Sequence, residues 1–106
     1  MIVVVGRVQT DADRRAALIG VGQAVASASR EEAGCISYRL YDDIERTNEF
    51  VFVEEWSRDA LQQHFATEHV GEFMRAIPAT IVAPPDVKFH TIASTMDLAD
   101  VSVGSS

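Results

Sequence analysis

The sequence predicts an α+β fold in which one antiparallel sheet lies under two helices, in the order β-α-β-β-α-β. Three observations predict it. At 106 residues the chain has the length of one domain with one core. Runs of β-branched and aromatic residues alternate with two stretches of helical period in that order. The strand segments are apolar on both faces, so helices on one side leave the other side uncovered.

Residues Ile2 to Val8 are β-branched and apolar, and the turn-prone Thr10-Asp11 follows, which reads as a strand running into a helix with Asp11 as its N-cap. From Ala12 to Glu32, the residues Leu18, Val21, Val25 and Ala28 recur at spacings of 3, 4 and 3, one stripe of an amphipathic helix that Gly34 stops. Cys35 to Asp43 alternates as a strand, with Ile36, Tyr38 and Leu40 on one side. A polar loop from 42 to 49 joins it to the strand Phe50 to Trp56 as a hairpin.

Ser57 is expected to cap a helix carrying Leu61, His64, Phe65 and Glu68 on one face. Thr67 restarts that helix so that Val70, Phe73, Met74 and Ile77 continue the stripe, and Pro78 ends it. The last strand is expected through Thr80 to Val82 and again from Val87 to Ala93, interrupted at Pro84-Pro85. The whole is a ferredoxin-like split βαβ sandwich over residues 1–93. Val3 and Val5 alternate with Ile2 and Val4, and Val51 and Val53 with Phe50 and Phe52, so a homodimer through the open sheet face is expected. The tail, residues 94–106, is small and polar, and its expected support is the partner subunit.

Nine Lys and Arg against sixteen Asp and Glu give a net charge of -7, with no basic cluster. Such a surface repels phosphate backbones, so neither nucleic acid nor an anionic membrane is an expected partner. The single Cys35 forms no internal disulfide, and MIVVVGRVQT lacks the features of a signal peptide, so the cytoplasm is the expected compartment. No dinucleotide loop, phosphate loop, serine elbow or HExxH motif occurs. His64 and His69 are five apart across a helix break, not the i, i+4 spacing that brings two imidazoles to one metal, so no metal site is expected.

His64, between Leu61 and Phe65, points toward the sheet. It is either a satisfied core histidine or a general base, since its ordinary pKa lies near ~6.5. His69, expected half exposed in the first turn of the last helix, is equally open to a functional role and to plain surface packing. Glu54 lies among aromatics and must pair or be protonated, and Arg39 is the available partner for Glu54 or Glu55. Trp56 and Phe65 either fill the core or wall a cavity for a flat ligand, with Met74 an adaptable neighbour.

The runs EEAGCISYRLYDD, FVFVEEWSRDALQQHFATEHV and GEFMRAI resemble the antibiotic biosynthesis monooxygenase (ABM) domain family, within the dimeric α+β barrel superfamily. The carrying features are Gly34-Cys35 before a strand holding Tyr38, Glu55-Trp56 ending another, and His64 and His69 after it. The resemblance implies a dimer with sheets face to face and a pocket between sheet and helices. It also implies one of several activities: cofactor-free oxygenation of phenols and quinols, haem degradation, or isomerisation of a phosphorylated sugar derivative. An anthrone-oxidising branch has an asparagine and a tyrosine where this chain has Phe52 and Gln62. The haem-degrading branch has an asparagine where this chain has Gly6-Arg7, which disfavours haem.

The function expected on these grounds is a monooxygenase without cofactors that oxidises a quinol or anthrone-like aromatic with dioxygen. His64, His69 and Arg39 are its expected catalytic residues, and Trp56, Phe52, Phe65, Tyr38 and Met74 its substrate walls. The alternatives are a proton-shuttling isomerase of a small carbonyl compound and a non-catalytic dimeric module that binds a small molecule.

Overall fold

A computed structural model describes residues 1–104. Its elements are β1 (Ile2–Gln9), α1 (Arg15–Arg30), β2 (Cys35–Asp42), β3 (Glu49–Trp56), α2 (Leu61–Phe65), α3 (Glu68–Ala76), a 3-10 turn (Ile77–Thr80), β4 (Asp86–Thr91) and α4 (Leu98–Gly104). The sheet runs β2-β3-β1-β4 with every neighbouring pair antiparallel. This is the expected α+β arrangement.

Register decides which residues meet the helices. Val4 pairs with Glu54, Gly6 with Phe52 and Val8 with Phe50, and these residues are buried under α1 and α3. The alternate set on the open face, Val3, Val5, Val51 and Val53, is only half-buried. Gly22 lets α1 approach closely, since a Cβ there would stand 2.6 Å from Leu40 Cδ2. The core beneath is Leu18, Val25, Phe50, Phe52 and Trp56 with their neighbours.

Several boundaries depart from expectation for local reasons. The Asp11 carboxylate accepts from the Arg14 amide at 2.9 Å, so it caps a turn and regular helix begins only at Arg15. At the other end α1 closes at Arg30, which frees Glu32 from the helix. Gly34 has no positive φ. Its bareness is needed for packing instead, because a Cβ would lie 2.1 Å from that of Ala60. A bulge between Cys35 and Ser37 breaks the alternation of β2 and leaves Ile36 exposed.

Pro78 does not end the helical path but sits in the 3-10 turn that extends it through Thr80. The expected strand at Thr80 to Val82 is reduced to one bond, from the Val82 amide to the Gln9 carbonyl. In the tail, Leu98 and Val101 belong to α4 and face solvent, not their own subunit. The Asp100 carboxylate accepts from the Asp97 amide at its start. Residues 105–106, the end of that expected appendage, lie outside the described residues. Among the described residues, no helix is long and apolar enough to cross a membrane.

Candidate active site

Between the sheet and α3 lies a cavity of about 290 Å³. Its floor is Val4, Gly6 and Val8 of β1 with Phe52 of β3, and Val70, Phe73 and Ile77 form the roof. The mouth opens along the edge strand β4, where Phe65, Met74 and Phe89 are about half exposed. The lining is almost wholly apolar. Two ionisable side chains interrupt it, Glu54 and His64, with the phenol of Tyr38 beside them.

Glu54 is 8% exposed and His64 3%, so both are held away from water. The Trp56 indole donates to Glu54 Oε1 at 2.9 Å. Burial nevertheless dominates and pushes the Glu54 carboxyl up to about 7, against the opposing hydrogen bonds of Trp56 and Tyr38. At neutral pH this acid is divided between its two forms. Burial likewise holds the His64 pKa below its ordinary value, although Glu32 favours the charged ring.

His64 Nδ1 lies 2.7 Å from Glu32 Oε2, and His69 Nε2 lies 2.7 Å from the same oxygen. A carboxylate can only accept, so in the neutral His64 ring Nδ1 carries the hydrogen and Nε2 the lone pair. That free nitrogen stands 3.9 Å from Glu54 Oε1. Hydrogen bonds thus join the partly exposed His69 through Glu32 to His64, whose free nitrogen faces Glu54 at the cavity wall without bonding to it. An imidazole whose lone pair is aimed by a carboxylate on its far side is suited to take a proton.

Local chemistry builds this path. The Ser57 amide donates to the Gly34 carbonyl at 2.8 Å, which ties the turn after α1 to the start of α2 and sets Glu32 opposite His64. Thr67 is the N-cap of α3 and accepts from the Val70 amide. Its own hydroxyl donates to the His64 carbonyl at 2.6 Å. The break at Ala66-Thr67 thereby turns the second helix so that both imidazoles face one carboxylate, with ring centroids 6.0 Å apart. The helix break that argued against a shared partner is what provides one.

Of the sequence-predicted residues, His64, Phe52, Phe65, Tyr38 and Met74 meet at the cavity. Phe65 forms part of the mouth rather than the buried face expected of it. His69 stands one residue back, behind Glu32. Trp56 is fully buried and does not line the cavity; its part is to hold Glu54. Arg39 is not brought to the site: it pairs in register with Val53, on the open face and exposed. The expected Arg39 pairing is replaced by Trp56 on Glu54 and by Ser37, whose hydroxyl donates to Glu55 at 2.6 Å.

The residue that sequence reasoning missed is Glu32. It lies 32 positions before its partner, at the end of a helix where acids are commonplace, and nothing local distinguishes it. Glu54 was visible as an acid among aromatics, but its tryptophan partner two residues on was not.

The profile of the family described as antibiotic biosynthesis monooxygenase matches residues 1–76. The chain belongs to that family. All of the cavity's ionisable groups, and Glu32 and His69 behind them, fall inside the matched span. The "Uncharacterized protein sll1783" of Synechocystis is 38% identical over 98 residues, 92% of this chain and 67% of its own length. The "Putative monooxygenase Rv0793" of Mycobacterium tuberculosis is 32% identical over 93 residues, covering 80% of this chain and 92% of that one. Its solved structure superposes with a TM-score of 0.82 at 27% identity, over 91% of this chain and 98% of the other. The crystal structure of a "putative antibiotic biosynthesis monooxygenase" from Deinococcus radiodurans superposes with a TM-score of 0.86 at 22% identity, over 92% of this chain and 98% of that one, and supports the fold.

Proposed function

We propose that this chain is a cofactor-independent monooxygenase that oxidises an electron-rich aromatic, a quinol or an anthrone-like compound, with dioxygen. The observation that carries the reading is an apolar, aromatic-walled cavity lined by an imidazole lone pair, backed by Glu32, and by a carboxyl whose pKa burial pushes up to about 7. Family membership supports the class of reaction.

Ground-state dioxygen is a triplet and reacts slowly with closed-shell molecules, so the substrate must supply the first electron, which its anion does readily. His64 Nε2 removes a phenolic or benzylic proton. The anion passes one electron to dioxygen, and the radical pair joins as a carbon-bound peroxide, which takes up a proton. For a CH2 centre, loss of the second C–H proton with cleavage of the O–O bond leaves C=O and water, so no outside reductant is needed. Glu54 in its protonated form donates to the developing oxyanion, and the apolar walls exclude water. Positioned proton transfer of this kind contributes about 10² to 10⁴-fold.

We also propose that two copies pack through their open faces, where the half-buried valines of β1 and β3 lie beside the exposed Tyr41 of β2. The test of the activity is dioxygen uptake in an oxygen electrode with a menadiol-like quinol or an anthrone, with labelled dioxygen traced into product. Uptake by His64→Ala equal to wild type would remove His64 from this role. Conversion of a carbonyl substrate without uptake would favour an isomerase, and saturable binding without turnover a binding module.

A further inference from the structure

We propose that Glu32, His64 and His69 form a binding site for a divalent cation of the zinc class. One ligand atom from each residue lies within 4.8 Å of the others. Both ring nitrogens already converge on the same carboxylate oxygen at 2.7 Å. Around a zinc ion bound at about 2.0–2.2 Å, tetrahedral ligands stand roughly 3.4 Å apart. Each nitrogen therefore needs to part from the oxygen by about 0.7 Å, and the two nitrogens, which lie within 4.8 Å of each other, need to settle at the same ~3.4 Å.

The residues that must yield are free to do so. Glu32 sits in the turn after α1 and His69 in the first turn of α3, both partly exposed, whereas buried His64 is the fixed point. Two imidazoles and one carboxylate are a borderline donor set that suits zinc, cobalt or nickel, while magnesium and calcium prefer oxygen alone. Three protein ligands leave a further position toward solvent. The far side of His64 is furnished as well. An imidazole bound through Nδ1 carries its hydrogen on Nε2, which faces Glu54, and Glu54 is anchored by Trp56.

Cation binding stands on this geometry alone; its consequence for turnover rests on the oxygenase reading. With a cation on Nδ1, His64 Nε2 bears the hydrogen and has no lone pair to take a proton. The cation and the substrate proton compete for one ring, so zinc occupancy switches off the base.

Chelator-stripped protein titrated with cobalt(II) is expected to develop visible ligand-field bands that saturate at one equivalent and vanish when zinc(II) is added. His69→Ala and Glu32→Gln, at the exposed rim, are expected to weaken cobalt binding by at least about tenfold. His90→Ala, on exposed β4, should bind as wild type does. Thermal melts of each variant establish that it is folded. Absent bands, or bands unchanged in both rim variants, overturn the site, as does equal weakening by His90→Ala. Dioxygen uptake by the stripped protein is read separately. No uptake with cobalt bands intact condemns the oxygenase reading alone, and uptake without bands condemns the cation site alone.

Discussion

His64 and Glu32 are 32 residues apart in the chain, and their side chains meet at 2.7 Å, Nδ1 to Oε2. This contact selects the ring tautomer. His64→Ala should lower kcat for a quinol by about 10² to 10⁴-fold. Glu32→Gln should lower kcat with little change in KM. Because Glu32 favours the protonated ring, its loss should also move the acid limb of the kcat/KM profile to lower pH. A purely structural role for Glu32 would leave that limb in place, and steady-state kinetics across pH decide it.

Glu54 makes stability depend on pH in a direction opposite to that of most carboxylates. Its pKa is raised from 4.5 to about 7, so the folded state binds the proton more tightly than the unfolded chain does. Stability from this group is fully present below about pH 4.5 and is lost as pH rises through about 7, on the order of 3 kcal/mol in all. His64, with its lowered pKa, works in the contrary sense: its stability is fully present above about pH 6.5 and is lost as pH falls from there through the lowered value. The difference between wild type and Glu54→Gln isolates the carboxyl. Urea denaturation in the presence of chelator should show wild type close to Glu54→Gln near pH 4.5 and falling progressively below it as pH rises through about 7.

Trp56→Phe keeps a ring in the core and deletes the indole hydrogen that Glu54 accepts. The Glu54 pKa should rise further, since that bond favours the carboxylate. Stability should fall by about 1–3 kcal/mol for the buried acceptor left short of a donor. Calorimetry gives the second effect and carboxyl infrared titration the first.

Gly34→Ala is expected to destabilise the fold by about 1–3 kcal/mol, because its methyl would meet Ala60 backed by the start of α2. The same displacement separates Glu32 from His64, so kcat should fall even where the variant remains folded. Gly20→Ala, where a Cβ meets nothing within 4 Å, is the control and should be neutral or slightly stabilising.

Val53→Glu places a charge on the open sheet face, beside exposed Arg39 in the register. If two copies share this face, sedimentation should find dimers of wild type and monomers of the variant. Equal sedimentation of the two proteins would refute that packing.

The order of elements and both helical stretches were legible because their apolar periods are strong and match one topology. The cavity walls followed from the same periods, which is why Phe52, Tyr38 and Met74 were foreseen. What escaped the reading was set by contacts between distant segments. The carboxylate of Glu32 becomes important only when the Gly34 turn docks on Ser57. Arg39 was misplaced for the opposite reason: alternation along β2 puts it beside Tyr38 in sequence but on the reverse side of the sheet, and proximity in a list of residues concealed that.

The edge position of β4 has a consequence for the history of the fold. Val87 and Phe89 border the cavity from the outermost strand and are about half exposed, so either can change size at little cost to the packed centre, where Glu54 and His64 are buried. On the proposed reading, selectivity for the guest molecule would rest on this replaceable edge strand and movement of its proton on the buried acid and base, so descendants can revise the first while inheriting the second intact.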